Sequence, residues 1–321
     1  TKVDCFFSDD VNGLVLGSLD ELDGVADFDS IADFDFLGAV DITGGSYEFA
    51  NKLDLGSKQP LRLKRHFVTQ GFYPNDLIDK RSGNIDTWTD FDGATAFDVN
   101  AKLLVATTDS DPNATSSATY SQSGTTITIT KNSHGFAIGS FIEITFTSGN
   151  GVSGNYEIIT KTTNSFTVTA ATGQTTSGNC TLSSEFSPFN TFANGTFIAR
   201  GFKFRCEMDS NDPAQSIEID QLGYTAELER RTETVNTAIA STTSTKSVTF
   251  ANSFFTGSSG TSVSAGSALP TIGITIENMT AGDEFFLSNI SGTGFDIDIK
   301  NGGSNVNRNF KYTAIGFGRG S

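Results

Sequence analysis

The sequence predicts an all-β protein of tandem β-sandwiches carrying a small inserted β-barrel or sandwich module. Three observations carry that prediction. Thr, Ser, Gly and Asn dominate outside the apolar set, and runs with an amphipathic helical period are scarce. Apolar residues make up 36%, with 28 Phe against one Trp and six Tyr, which suits several thin cores closed by a few rings each. Short alternating runs recur along the chain with Gly or Asn between them, as half-buried strands joined by turns require.

Taken in order, residues 1–47 read as an acidic leader or connector. Twelve of the 37 acids fall within residues 1–50, against one of the 21 bases. In "SLDELDGVADFDSIADFDFLGAVD", Phe34 and Phe36 alternate with Asp33 and Asp35, so one edge is oily and the other charged. Such a segment buries too little to fold alone and is expected to lie extended along a neighbour. From "SYEFANKLDLG" the pattern becomes globular. "PLRLKRHFVTQGF" and "AKLLVATTD" read as strands, "RLKRH" as the solvated face of one, and "IDTWTDFDG" as a loop packing Trp88 beside Phe91.

Between Ser117 and Ser183 the only charged residues are Lys131, Glu143, Glu157 and Lys161. "TTITITK", "SFIEITFTS", "NYEIITKTT", "NSFTVTA" and "NCTLSS" read as closely spaced strands of a separate module over 117–183. Phe197, Ala199, Phe202 and Phe204 then suggest strands interrupted by a bulge at Gly201. The simplest organisation is one sandwich over 48–116 plus 184–231, with the module inserted where two strand ends lie close at the surface. The link "ERRTETVNTAIASTTSTKS" leads to a third unit, 232–321. Its five runs, from "KSVTFANSFF" to "RNFKYTAIGFG", make an antiparallel sandwich whose first and last strands are expected to pair. "TGFDIDIKNGG" places Asp296 and Asp298 opposite Phe295, Ile297 and Ile299, one face in and one out.

The chemistry the sequence excludes is broad. A net charge of −16 with a single short basic cluster excludes nucleic acid as a partner, because phosphate binding needs grouped Lys and Arg. Cys5, Cys180 and Cys206 are odd in number and widely separated, against both a disulfide framework and a zinc site. No run reaches the length of a membrane span, so membrane insertion by this segment is not expected, and no signal peptide is visible. His66 lies in the basic strand, and His134 sits in "KNSHGFAIGS", where turn residues account for it. G-x-S-x-G, P-loop and H-E-x-x-H motifs are absent. "DFDSIADFDF" has alternate carboxylates but lacks the central Gly of a calcium loop. The expectation is a non-enzyme without metal or cofactor.

The residues "VTFANSFF", "PTIGITIENMTAGDEFF", "TGFDIDIKN" and "NFKYTAIGFG" resemble the ending of host-specificity, or central tail fibre, proteins at the tail tip of long-tailed bacteriophages. Phe250, Pro270, Asn278, Met279, Gly282, Asp283, Gly294, Phe295, Asn301, Phe310, Tyr312, Ala314, Gly316 and Gly318 carry the likeness. "NIDTWTDFDG" and "FIARGFKFRCEMDSNDPAQSIEIDQLGYTAEL" resemble the preceding domain of those proteins. The pattern departs at the longer Gly/Ser loop "TGSSGTSVSAGSALP". The resemblance implies a jelly-roll-like sandwich followed by an H-type-lectin-like one. It also implies a virion protein assembled in the host cytoplasm, homotrimeric, joined to other tail-tip or hub proteins and to a host surface protein or glycan. A larger upstream hub would suit a chain that begins at Thr1 rather than Met.

The family's receptor contacts form no fixed motif, so candidates come from the residues alone. Asn150, Gly151, Val152 and Ser153 occupy "SGNGVSGNY", read as a flexible tip of the inserted module that either touches a ligand or only connects strands. Phe254 and Phe255 are adjacent and cannot both enter one core from a regular strand, so they are the candidates for a subunit contact. A stand-alone lectin-type module and a tail-associated glycan hydrolase remain as alternatives. The second needs a carboxylate pair, yet the acids cluster in the leader and at turns such as "SNDP" and "TAGD".

Overall fold

The computed structural model describes residues 2–8, 13–17, 44–72, 96–211, 215–258, 263–264 and 266–318. The regular structure among them is entirely β, arranged as tandem β bodies. The first is a nine-stranded sheet centred on Gly195–Ser210. That strand pairs with Gly44–Glu48 and Leu53–Phe72 along one side and with Val99–Thr108 along the other. The path continues through Ser216–Glu227 to Gly13–Leu16 and Cys5–Ser8, and Lys2–Val3 joins at Gly44–Glu48. The Gly17 amide donates to the Asp4 carbonyl at 3.0 Å, and Cys5 Sγ to the Ser46 carbonyl at 3.2 Å, drawing the two ends together. The sheet is nearly closed.

Alternation explains its cores. Leu61 and Leu63 are buried while Arg62, Lys64 and Arg65 face solvent, so the basic run is a wet strand face. One cluster gathers Leu61, Leu63, Leu103, Phe192, Phe202 and Phe204, and a second gathers Cys5, Leu14, Leu16, Cys206, Met208 and Ile217. For its described residues, 2–8, 13–17 and 44–47, the second cluster corrects the reading of 1–47 as a connector. Its strands Lys2–Val3, Cys5–Ser8, Gly13–Leu16 and Gly44–Glu48 belong to the sheet. The averaged acidity of the segment conceals two apolar runs, "CFF" and "GLVL", and each buried Leu contributes about 1.5–3 kcal/mol. Phe34, Phe36, Trp88 and Phe91 lie outside the described residues. A register shift between Ala199 and Gly201 marks a bulge in the central strand, which turns Arg200 toward Asp54 and Asp111, each at 3.0 Å.

Thr115–Thr130 and Ser165–Ser183 form a long ladder in which Thr115 stands opposite Ser183. The chain therefore leaves and re-enters the first body at adjacent points. Phe141–Phe146, Gly154–Glu157 and Thr160–Lys161 complete a five-stranded sheet. Its core of Ile127, Ile129, Ile142, Ile144, Ile158 and Phe166 is separate from those of the first body.

The C-terminal body has two facing sheets. Asn309–Gly318 runs through the middle of one, paired with Arg230–Ala240 on one flank and with Thr271–Glu277 and Phe254–Phe255 on the other. Gly294–Asn301 is central in the second, between Lys246–Thr249 and Asp283–Ser288. Phe295, Ile297 and Ile299 point into the shared core as the alternation requires. The expected pairing of the first and last strands holds only at the end of the first run, where Phe254 and Phe255 stand opposite Gly318 and Phe317. Lys246–Thr249 joins the opposite sheet, and the last strand takes Arg230–Ala240, read from sequence as a link. That segment directs Arg231 and Glu233 inward, so it carries no apolar period to read.

Candidate functional site

The tip of the inserted module is fastened rather than flexible, which corrects the sequence reading of it. The Tyr120 hydroxyl accepts from the Gly151 amide at 2.9 Å and donates to the Ser148 carbonyl at 3.1 Å. The Asn150 amide donates to Thr176 Oγ1 at 3.0 Å, and Gln174 Nε2 donates to the Asn150 carbonyl at 2.8 Å. The Phe146 amide donates to Ser153 Oγ at 3.0 Å, and the Tyr156 hydroxyl to the Val152 carbonyl at 2.5 Å. Gly149 has φ of +77°, and a Cβ there would lie 2.3 Å from the Tyr120 hydroxyl. A Cβ on Gly151 would lie 2.5 Å from the Phe146 ring. Both glycines are thus demanded by close approach. Asn150, Gly151, Val152 and Ser153 are brought together on this frame, with Val152 projecting at 61% exposure. Sequence reasoning missed the frame of Tyr120, Phe146 and Tyr156. Tyr120 lies about thirty positions from the tip it holds, and no local pattern joins them.

On the module's flank, Ser117, Thr119, Thr130, Lys131, Asn132 and Asn179 line a shallow groove of about 450 Å³. Its chemistry is hydroxyl, amide and one ammonium. The module also sits firmly on its host body. Phe141 and Phe186 exchange backbone hydrogen bonds at 2.9 and 2.8 Å, and Glu185 Oε2 accepts from the Ala137 amide and Ser140 Oγ, each at 2.7 Å. Lys203 reaches Glu48 at 3.6 Å and Glu143 of the module at 4.0 Å, with its ammonium 4.9 Å from the centre of the Phe186 ring. Burial and the nearby Lys203 charge hold the Lys52 ammonium below the ordinary lysine range.

Phe254 and Phe255 are buried within their own chain, at 3% and 7% exposure, which corrects their assignment to a subunit contact. The premise that adjacent Phe side chains diverge holds. Phe254 enters the C-terminal core, and Phe255 enters the core of the first body. The dipeptide pins one body to the other. Gln59 Nε2 donates to the Ser253 carbonyl at 3.3 Å beside it. Behind Phe254 lies a buried polar clasp. The Arg231 guanidinium stacks 3.6 Å from the Phe254 ring centre and pairs with Glu233 at 3.4 Å, and it donates to the Asn252 carbonyl. Glu233 Oε1 accepts from the Tyr312 hydroxyl at 2.8 Å and from the Ala251 amide at 3.1 Å. Burial, then the bonded carboxylate, pushes the Tyr312 phenol up from its ordinary value.

A cleft of about 550 Å³ opens at this junction, walled mainly by Leu53, Leu55, Leu61, Tyr224, Phe255 and Phe317. Its described lining carries no carboxylate, imidazole or thiol. His134 is a turn brace: its Nδ1 accepts from the Phe136 amide at 3.1 Å, and its Nε2 lies 2.9 Å from the Thr162 carbonyl. His66 Nε2 lies 2.7 Å from Thr225 Oγ1 on an exposed strand face. The three thiols are buried, and burial pushes Cys180 up to about 11 and Cys206 up to about 12, so they are held as thiols near neutrality. Among the described residues no group of three or more His, Cys, Asp and Glu is placed to hold a metal. The same residues include no helix long and apolar enough to cross a membrane. No family model, curated protein or solved structure matches the chain.

Proposed function

We propose that this chain is a structural protein of a phage tail tip that contributes to receptor recognition and adsorption. In that setting it works as a homotrimer, attached to other tail-tip or hub proteins, and contacts a host surface protein or glycan. The observation that carries the reading is the fastened tip: a loop held by two tyrosine hydroxyls on a separately cored module, offering the Val152 side chain at one end. Rigid presentation lowers the conformational entropy lost on binding.

The residues behind the family resemblance act together as architecture. Asn278 and Gly282 take left-handed backbone, with φ of 58° and 88°, and so frame a turn. Asp283 closes it, accepting from Arg308 Nε, Asn301 Nδ2 and the Thr280 amide, each at 2.8 Å. The likeness therefore speaks for a fold at the end of the chain, and recognition falls to the loops that fold carries.

Competition for adsorption tests the proposal. Purified chain is expected to block phage attachment to host cells, while chain lacking Ser117–Ser183 and the Val152→Asp variant block it poorly. Full chain that fails to compete at any concentration sinks the reading. Release of reducing ends from host envelope polysaccharide, lost on changing one acidic side chain, would replace it with the hydrolase.

A further inference from the structure

The two concavities described above differ in kind. The junction cleft is walled mainly by apolar side chains, whereas the groove on the inserted module is lined by Ser117, Thr119, Thr130, Lys131, Asn132 and Asn179, with Ala118 as its one apolar residue. Asn179 stands opposite Thr119, and their neighbours Tyr120 and Cys180 are buried, so Ser117, Thr119 and Asn179 point outward. What sets the groove apart is that the fold uses none of its polar side chains. Among the described residues, its three hydroxyls and two carboxamides make no hydrogen bond within the chain, and the Lys131 ammonium makes no ion pair. Comparable groups elsewhere in the module are engaged. Asn164 Oδ1 accepts from the Ser133 amide at 3.1 Å, Gln174 Nε2 donates to the Asn150 carbonyl at 2.8 Å, and Lys161 Nζ donates to the Phe136 carbonyl.

Asn179 adds an independent sign. It lies inside the strand Ser165–Ser183, where asparagine is unfavourable because its amide competes with the backbone ladder. No side-chain bond offsets that cost. Its backbone is nonetheless fixed: the Asn179 amide donates to Ser148 Oγ at 2.8 Å, and its carbonyl accepts from the Thr147 amide at 2.9 Å. The opposite wall is held in the same way, by the Lys131 amide on the Asn164 carbonyl at 2.9 Å. Fixed walls with spare polar side chains are what a binding site requires.

We infer that this groove binds an acidic saccharide. Hydroxyls and carboxamides each donate and accept, and so match the hydroxyls of a sugar. The Lys131 ammonium supplies a charge-assisted bond to a sugar carboxylate, and no carboxylate in the lining opposes it. The other ligand classes fit worse. The lining has neither the aromatic nor the arginine anchors on which protein partners concentrate their binding energy. One cation is too few to follow a nucleic-acid backbone. With no ring to stack on a sugar face, a single groove binds weakly.

The inference rests on the recognition part of the proposed function and narrows the partner to a glycan. Saturation-transfer NMR with the full chain tests it, using a galacturonate and a sialic acid trisaccharide, each beside its uncharged methyl ester. An acid is expected to bind and its ester about tenfold less well, the worth of one charged hydrogen bond, and Lys131→Gln is expected to erase that difference. Asn179→Val is expected to weaken acid and ester alike while leaving the urea midpoint at or above that of the wild type, because a β-branched residue suits a strand. A merely structural Asn179 would lower it. Lys64→Gln, on the exposed basic strand of the first body, is expected to change nothing. Failure of both acids to bind overturns the inference, as does binding that Lys131→Gln and Asn179→Val leave untouched. If such a chain still blocks adsorption, recognition stands with the Val152 tip as its site. Chain that binds an acid through Lys131 yet never blocks adsorption upholds the groove and sinks the adsorption reading.

Discussion

Glu233 illustrates how much rests on single side chains here. Its carboxylate is buried with Arg231 and holds both Tyr312 and the Ala251 amide. A buried ion pair adds little by itself, but removing one partner strands the other charge at a penalty of about 3–5 kcal/mol. Glu233→Ala is therefore expected to lower unfolding free energy by about that amount in urea titration. A loss below ~1 kcal/mol would show that the clasp is ornamental. Asp283 sets an acid limit. Hydrogen bonds from Arg308, then Asn301 and Thr280, hold its pKa below the ordinary 3.8. A depressed folded pKa gives stability that is present above 3.8 and lost as pH falls below it. Acid unfolding followed by circular dichroism should move to higher pH in Arg308→Gln. An unchanged midpoint would remove Asp283 from the account.

At the scale of elements, the two-residue strand Phe254–Phe255 has an effect out of proportion to its length. Its neighbours alternate by the ordinary pleat, yet its two rings serve different bodies. Phe255→Ala is expected to destabilise by about 3–5 kcal/mol through the lost ring and the cavity left behind. It should also split a single calorimetric transition into two, because the pinned bodies then melt independently. One unbroken transition at the wild-type midpoint would mean that the junction is held elsewhere. The closing strand Asn309–Gly318 is pinned for a related reason: it is central in its sheet, bonded along both flanks, rather than an edge that can fray.

For the whole molecule, the inserted module is the separable part. Thr115 faces Ser183 across one rung of a ladder, so the chain leaves and re-enters the first body at adjacent points, beside the contacts of Phe186, Glu185 and Lys203 with the module. Replacing 116–182 with an Asn-Gly turn is expected to preserve folding of the remainder, since that dipeptide closes antiparallel neighbours. Circular dichroism and urea midpoint should stay near wild type, less the module's own signal. Aggregation of the shortened chain would show that Phe186 and Lys203 need the module to cover them. The contrast with Phe255 is instructive: one connection is a hairpin that can be closed elsewhere, the other a shared core that cannot.

The amino-acid sequence by itself determined the β class, most strands, and which side of most of them is apolar. Ile127, Ile142, Phe295 and Ile297 lie buried where period-two alternation placed them. It also marked the bulge beside Gly201 and the low-charge module. Those properties are local, readable over a few residues. Tertiary structure alone decided where each strand found its partner, which core each Phe of 254–255 entered, and that the 148–153 tip is braced. Tyr312 meets Glu233 across 79 residues, and Tyr120 meets Gly151 across 31. Inward-facing Arg231 and Glu233 even reverse the hydrophobic pattern of their strand. Pairing at such separations depends on what the rest of the chain brings alongside, and a period of two carries no record of it.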